Sequence, residues 1–91
     1  MTEQARIEQT VAEIWRKVLQ VEEVRPESGF YELGGDSILM MNILARIRSE
    51  LGIEVDEKVL LFAPTLKEFS TAVAAASEQR GDEQEITEGT L

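Results

Sequence analysis

A chain of 91 residues has room for one small domain, and with 43% apolar residues it can build a core. Eighteen acidic residues against nine basic ones leave a net charge of −9, which opposes nucleic acid and anionic lipid and favours partners with basic patches, although acidity also serves solubility. Without cysteine there is no disulfide framework or thiolate metal site, and no apolar run is long enough for a signal peptide or membrane span, so a soluble, cytoplasmic protein is expected.

In chain order, Ile7, Val11, Ile14 and Val18 recur at helical spacing, with Trp15 and Leu19 widening the stripe. This predicts an amphipathic helix from about Thr2 to Leu19, with Trp15 in the core and no catalytic role. Residues 20–36 lose that periodicity and contain Pro26, Ser28, Gly29, Gly34 and Gly35, the composition of a long connection. Val21, Val24, Phe30 and Leu33 are expected to pin it. Phe30 and Leu33, buried on either side of Tyr31, would hold the following turn rigid, an expectation that an unaltered Phe30→Ala variant would refute.

A second helix is predicted from about Ser37 to Leu51, ended by Gly52, with Met40, Ile43, Leu44, Ile47 and Leu51 as its buried stripe. Ile38, Leu39, Met41 and Ala45 remain on other faces. They form either an exposed docking strip, to which methionine lends adaptability, or a surface covered by the flanking loop. Ile53 and Val55 flank Glu54 in an extended link, and Asp56 can then cap a brief helix through Val59, Leu60, Leu61 and Phe62 that Pro64 stops. Thr65 and Glu68 spell a capping box for a last helix from about Leu66 to Ser77, with Leu66, Phe69, Val73 and Ala76 facing inward. These elements predict an all-α fold, a small four-helix bundle of three longer helices and one short one with a long loop between the first two. The domain is expected to span residues 1–77. Residues 78–91, with five acidic residues, one arginine and few large apolar groups, are expected to be a disordered acidic tail.

The stretch that organises the chain is Gly34-Gly35-Asp36-Ser37. The glycine pair permits backbone conformations closed to other residues and removes side chains that would crowd an approaching molecule. Asp36 or Ser37 can cap the helix, whose N-terminus tolerates a phosphate. By itself the tetrapeptide reads equally as a turn and a cap. The chain has no histidine, no cysteine and no evident base beside Ser37, which disfavours a catalytic triad, a metal site and any enzymatic role.

In context, Phe30-Tyr31-Glu32-Leu33-Gly34-Gly35-Asp36-Ser37-Ile38, followed by Leu51-Gly52-Ile53-Glu54-Val55 and Phe62-Ala63-Pro64-Thr65-Leu66, resembles the carrier-protein family over roughly residues 7 to 76. The resemblance is nearest to the peptidyl carrier domains of nonribosomal peptide synthetases. It implies that Ser37 carries a covalent 4'-phosphopantetheine arm, with Gly34, Gly35 and Asp36 as its motif. The arm's thiol would then hold aminoacyl or acyl intermediates as thioesters for nonribosomal peptide or hybrid polyketide biosynthesis. Implied partners are a phosphopantetheinyl transferase, which would supply base, magnesium and coenzyme A binding, and an adenylation or acyl-loading enzyme. Condensation, ketosynthase, tailoring or thioesterase enzymes would follow, with the carrier a monomer. Opening on Met1, the sequence reads as a free-standing carrier, although an excised domain with an added start codon would look identical.

Two departures bear on docking. Typical fatty-acid carriers bear several carboxylates along the second helix, whereas this chain has none between Ser37 and Ser49 and carries Arg46 and Arg48. Peptidyl carriers often place a carboxylate where Phe62 stands, and this apolar residue reads equally as facing a partner or as buried in the core. Docking is therefore expected to be more hydrophobic than ionic, through Ile38, Leu39, Met41, Ala45 and Phe62. The alternative function is an unmodified helical interaction module that uses the strip around Ile38 and Met41.

Overall fold

The computed structural model describes residues 3–77. The amphipathic first segment forms α1 (Glu3–Leu19), whose inward stripe of Ile7, Val11, Ile14, Trp15 and Leu19 is buried. A long connection leads to α2 (Ser37–Leu51), which packs against α1 and buries Ile43 and Ile47. The single-turn helix α3 (Val59–Phe62) follows, and residues 66–77 form a fourth helix, α4. The four-helix arrangement and the long first loop are as expected. Among the described residues the only β pairing is an isolated antiparallel bridge between Gly29 and Thr65.

Trp15 stands at the centre of the core, edge-on to Phe30 at 5.7 Å between ring centroids and tilted against Phe69 at 5.8 Å. Such aromatic pairs add to the free energy already gained by burying their area. Leu60, Leu66 and Val73 complete the same interior from α3 and α4. Val21, Val24 and Leu33 lie half-buried against this core, so the loop is pinned by the residues expected to pin it.

The stripe of α2 is narrower than its spacing implied. Met40, Leu44 and Leu51 are only half-buried, because a bundle this small covers little beyond the central line of Ile43 and Ile47. Gly52 ends the helix in the left-handed region at φ 67°, and its amide donates to the Arg48 carbonyl. Asp56 acts one turn earlier than expected. Its carboxylate accepts from the Lys58 amide at 2.9 Å and shapes the turn before α3, whose own N-cap, Lys58, makes no side-chain capping bond.

The start of α4 locks the loop in place. The Leu66 amide donates to the Ser28 carbonyl at 3.0 Å and the Lys67 amide to the Pro26 carbonyl at 2.9 Å, two first-turn donors that the helix itself cannot satisfy. Thr65 and Glu68 form the expected capping box, with Glu68 N donating to Thr65 Oγ1 at 3.2 Å and Thr65 N to Glu68 Oε1 at 3.4 Å. The 20–36 connection is thereby a fixed strap across the α3–α4 corner. The acidic segment 78–91 and the expected helix start at Thr2 lie outside the described residues.

Candidate functional site

The strap ends in the turn that delivers Ser37. The Leu33 amide donates to the Gly29 carbonyl, Gly34 N to Tyr31 O and Gly35 N to Phe30 O, all within 3.0–3.1 Å, so the chain coils once before α2 begins. Gly34 leaves this coil at φ 96°, a conformation side chains strongly disfavour, with open space where a side chain would stand. Gly35 has a different reason to be glycine. A Cβ there would fall 2.4 Å from Cε2 and 2.5 Å from Cζ of Phe30. Only Gly34 clears outer space. The expectation that both glycines serve an approaching molecule is corrected for Gly35, whose missing side chain makes way for the core.

Sequence left the cap open between Asp36 and Ser37. The structure assigns it to Asp36, in extended backbone, whose Oδ1 accepts from the Leu39 amide at 2.9 Å while its carbonyl takes the first helical bond from Met40 at 2.8 Å. Ser37 is consequently the first residue of α2, exposed, and its hydroxyl makes no hydrogen bond within the described residues. The Ser37 and Ile38 amides, first-turn donors pointing along the helix axis, also have no partner there. The site offers a free hydroxyl beside free N–H groups at the positive end of a helix dipole. That combination accommodates an anionic phosphoryl group bonded to the serine. The described residues contain no grouping of carboxylates able to hold a metal ion.

Past the serine, α2 leaves apolar side chains uncovered: Ile38 is 75% exposed, and Met41, one turn on, is exposed as well. At the end of α3, Phe62 is 82% exposed. Leu39 differs from expectation: it is half-buried against the core, because its position turns it inward beside Ile43. Ala45 is exposed and, with Met41, Leu44, Arg48, Val55 and the Glu54–Glu57 segment, lines an open groove of about 530 Å³. Leu61, absent from the sequence-derived set, is also exposed. The signal was available: four apolar residues in one turn of helix point all round it, so while Leu60 is buried and Val59 half-buried against the core, Leu61 and Phe62 are left outside. Of the two arginines on α2, Arg48 lies 3.6 Å from Glu54, and Arg46 is exposed.

Comparison with known proteins agrees with this geometry. The family model described as "Phosphopantetheine attachment site" matches residues 9–73. Surfactin synthase subunit 1 of Bacillus subtilis (strain 168) is 41% identical over 69 residues, which is 76% of this chain and 2% of that protein's length. Among solved structures, BlmI, a type-II acyl-carrier-protein from Streptomyces verticillus involved in bleomycin biosynthesis, superimposes with a TM-score of 0.74 at 30% identity, over 79% of this chain and 87% of its own. A chain from the complex of the phosphopantetheine transferase Sfp with coenzyme A and a peptidyl carrier protein gives 0.72 at 33% identity, over 76% and 90%.

Proposed function

The chain belongs to the phosphopantetheine attachment family, as a carrier domain and not an enzyme, and from that premise we propose that Ser37 is the residue bearing 4'-phosphopantetheine. The observation that carries this reading is the exposed, unbonded hydroxyl at the first position of α2, kept out of the cap by Asp36. When bound, the group supplies a terminal thiol able to hold an aminoacyl or acyl cargo as a thioester. The chain's own part is mechanical. Gly34 leaves open space beside the turn, Asp36 holds the helix start, and the Ser37 and Ile38 amides, unpartnered among the described residues, would be available to a phosphodiester on Oγ.

The proton leaving Ser37 Oγ on modification goes to a base on a separate phosphopantetheinyl transferase, since no side chain among the described residues hydrogen-bonds that hydroxyl. An adenylation or acyl-loading enzyme then provides the cargo, and condensation, ketosynthase, tailoring or thioesterase enzymes receive it. The similarity to surfactin synthase subunit 1 supports nonribosomal peptide assembly as the setting. Ile38, Met41, Ala45 and Phe62, joined by Leu61, form the surface these enzymes contact. Small transient interfaces of this kind suit a carrier that must release each partner in turn. No helix among the described residues is long and apolar enough to cross a membrane. The carrier unit is taken to end at residue 77, with 78–91 as an appended acidic tail.

The test is intact mass after incubation with coenzyme A and a broad-specificity phosphopantetheinyl transferase. The wild-type chain is expected to gain one arm and Ser37→Ala none, while melting like wild type because its hydroxyl contacts nothing. No gain by the folded wild-type chain would overturn the assignment and favour an unmodified interaction module.

A further inference from the structure

We infer that Gly35 and Phe30 are a matched positioning pair that sets where the Ser37 hydroxyl sits, an inference that rests on Ser37 being the modified residue. Three atoms of the Phe30 ring, Cε2, Cζ and Cδ2, lie 2.4, 2.5 and 2.6 Å from the place a Cβ at position 35 would take. Separations that short do not occur between real atoms, so one side must yield. Phe30 is held on every side. It is fully buried, its ring meets Trp15 edge-on at 5.7 Å, its amide donates to the Pro64 carbonyl at 2.7 Å and its carbonyl accepts from Gly35 at 3.0 Å.

Position 35, by contrast, is followed immediately by the exposed Asp36–Ser37 step, restrained by the bonds Asp36 accepts from the Leu39 and Met40 amides and packed against no side chain of the core. A side chain at 35 therefore displaces the backbone toward solvent, two residues before the hydroxyl. Pro64 joins α3 to α4, so the backbone amide of the same residue ties the serine turn to the corner that follows Phe62. The bare Cα of Gly35 is the imprint of that ring, and the pair acts by placement, touching no substrate itself. A misplacement of about 1 Å costs on the order of 100-fold in a reaction that depends on approach geometry.

The experiment compares wild type, Gly35→Ala, Phe30→Val and the double variant. Val lacks the δ, ε and ζ carbons that lie closest to the added methyl. Coenzyme A-dependent mass gain under a transferase is followed at several protein concentrations, alongside thermal melting and the backbone amide chemical shifts of Ser37 and Leu39. Gly35→Ala is expected to lose about 10- to 100-fold in kcat/KM and to shift both amides. The double variant is expected to recover most of the rate and the wild-type shifts while melting below wild type, so that rate and stability move in opposite directions. Wild-type rate and shifts in Gly35→Ala, or a double variant no better than Gly35→Ala, overturn the inference. If Gly35→Ala alone does not fold, folding and arm uptake by the double variant uphold the pair, and failure of the double variant to fold overturns it. A wild-type chain that never gains the arm refutes the assignment of Ser37, and the pair is then decided by the amide shifts.

Discussion

Gln20 is the one described residue other than glycine with a positive φ, 57°, and it occupies the left-handed position that ends α1. Next to it the Val21 amide donates to the Arg16 carbonyl at 3.1 Å, the longer bond of a Schellman ending. Glycine takes that conformation without the steric cost borne by a side chain, against which stands its greater loss of backbone entropy on folding. Gln20→Gly is therefore expected to stabilise the domain by about 0.5–1 kcal/mol, read as a higher urea midpoint at unchanged slope. The contrast with Gly52 shows what a sequence displays. Glycine after an apolar helix advertises its ending, whereas glutamine carries no mark of the backbone it adopts. Ser37 and Asp36 were ambiguous in the same way, since either side chain can cap a helix and only the placement of the backbone chose Asp36.

At the scale of elements, α2 divides its work between faces. Ile43 and Ile47 hold it to the bundle, while Ile38, Met41 and Ala45 face outward from the same helix. The single turn of α3 adds Leu61 and Phe62 because its inward side is taken by Leu60 and, in part, Val59. A carboxylate placed in this surface meets water in the free protein and an apolar contact in a complex, so the cost falls on docking. Met41→Asp and Phe62→Asp are each expected to change stability by less than about 0.5 kcal/mol. Each is expected to weaken productive contact with transferase or downstream enzymes about 10-fold, near 1.4 kcal/mol. Steady-state KM for the carrier, measured with each enzyme in turn, checks this; unchanged values with all of them would remove these side chains from the interface.

At the scale of the molecule, every buried apolar side chain among the described residues lies between Ile7 and Val73. The net charge is distributed differently: the tail 78–91 has five carboxylates and one arginine, so it holds four of the nine net negative charges and leaves five on residues 1–77. Like charges crowded onto a compact chain repel one another. A chain truncated after Ser77 is expected to take up the arm at the wild-type rate and to melt at the same temperature or slightly higher in low salt. A fall in either would place part of the functional unit beyond residue 77.

Helix number, the end of α1, both limits of α2, the central Trp15 and the serine at a helix mouth were legible in the amino-acid order alone, because periodicity, capping pairs and glycine stops are local and each element writes its own. The reason for Gly35, the strap from Pro26, Ser28 and Phe30 to the α3–α4 corner, and the sorting of Leu39 inward from Phe62 and Leu61 outward came only with the folded chain. Those depend on which distant segments share space. A glycine written in sequence says that room is needed, and only the Phe30 ring lying 2.4 Å from its absent Cβ says for what.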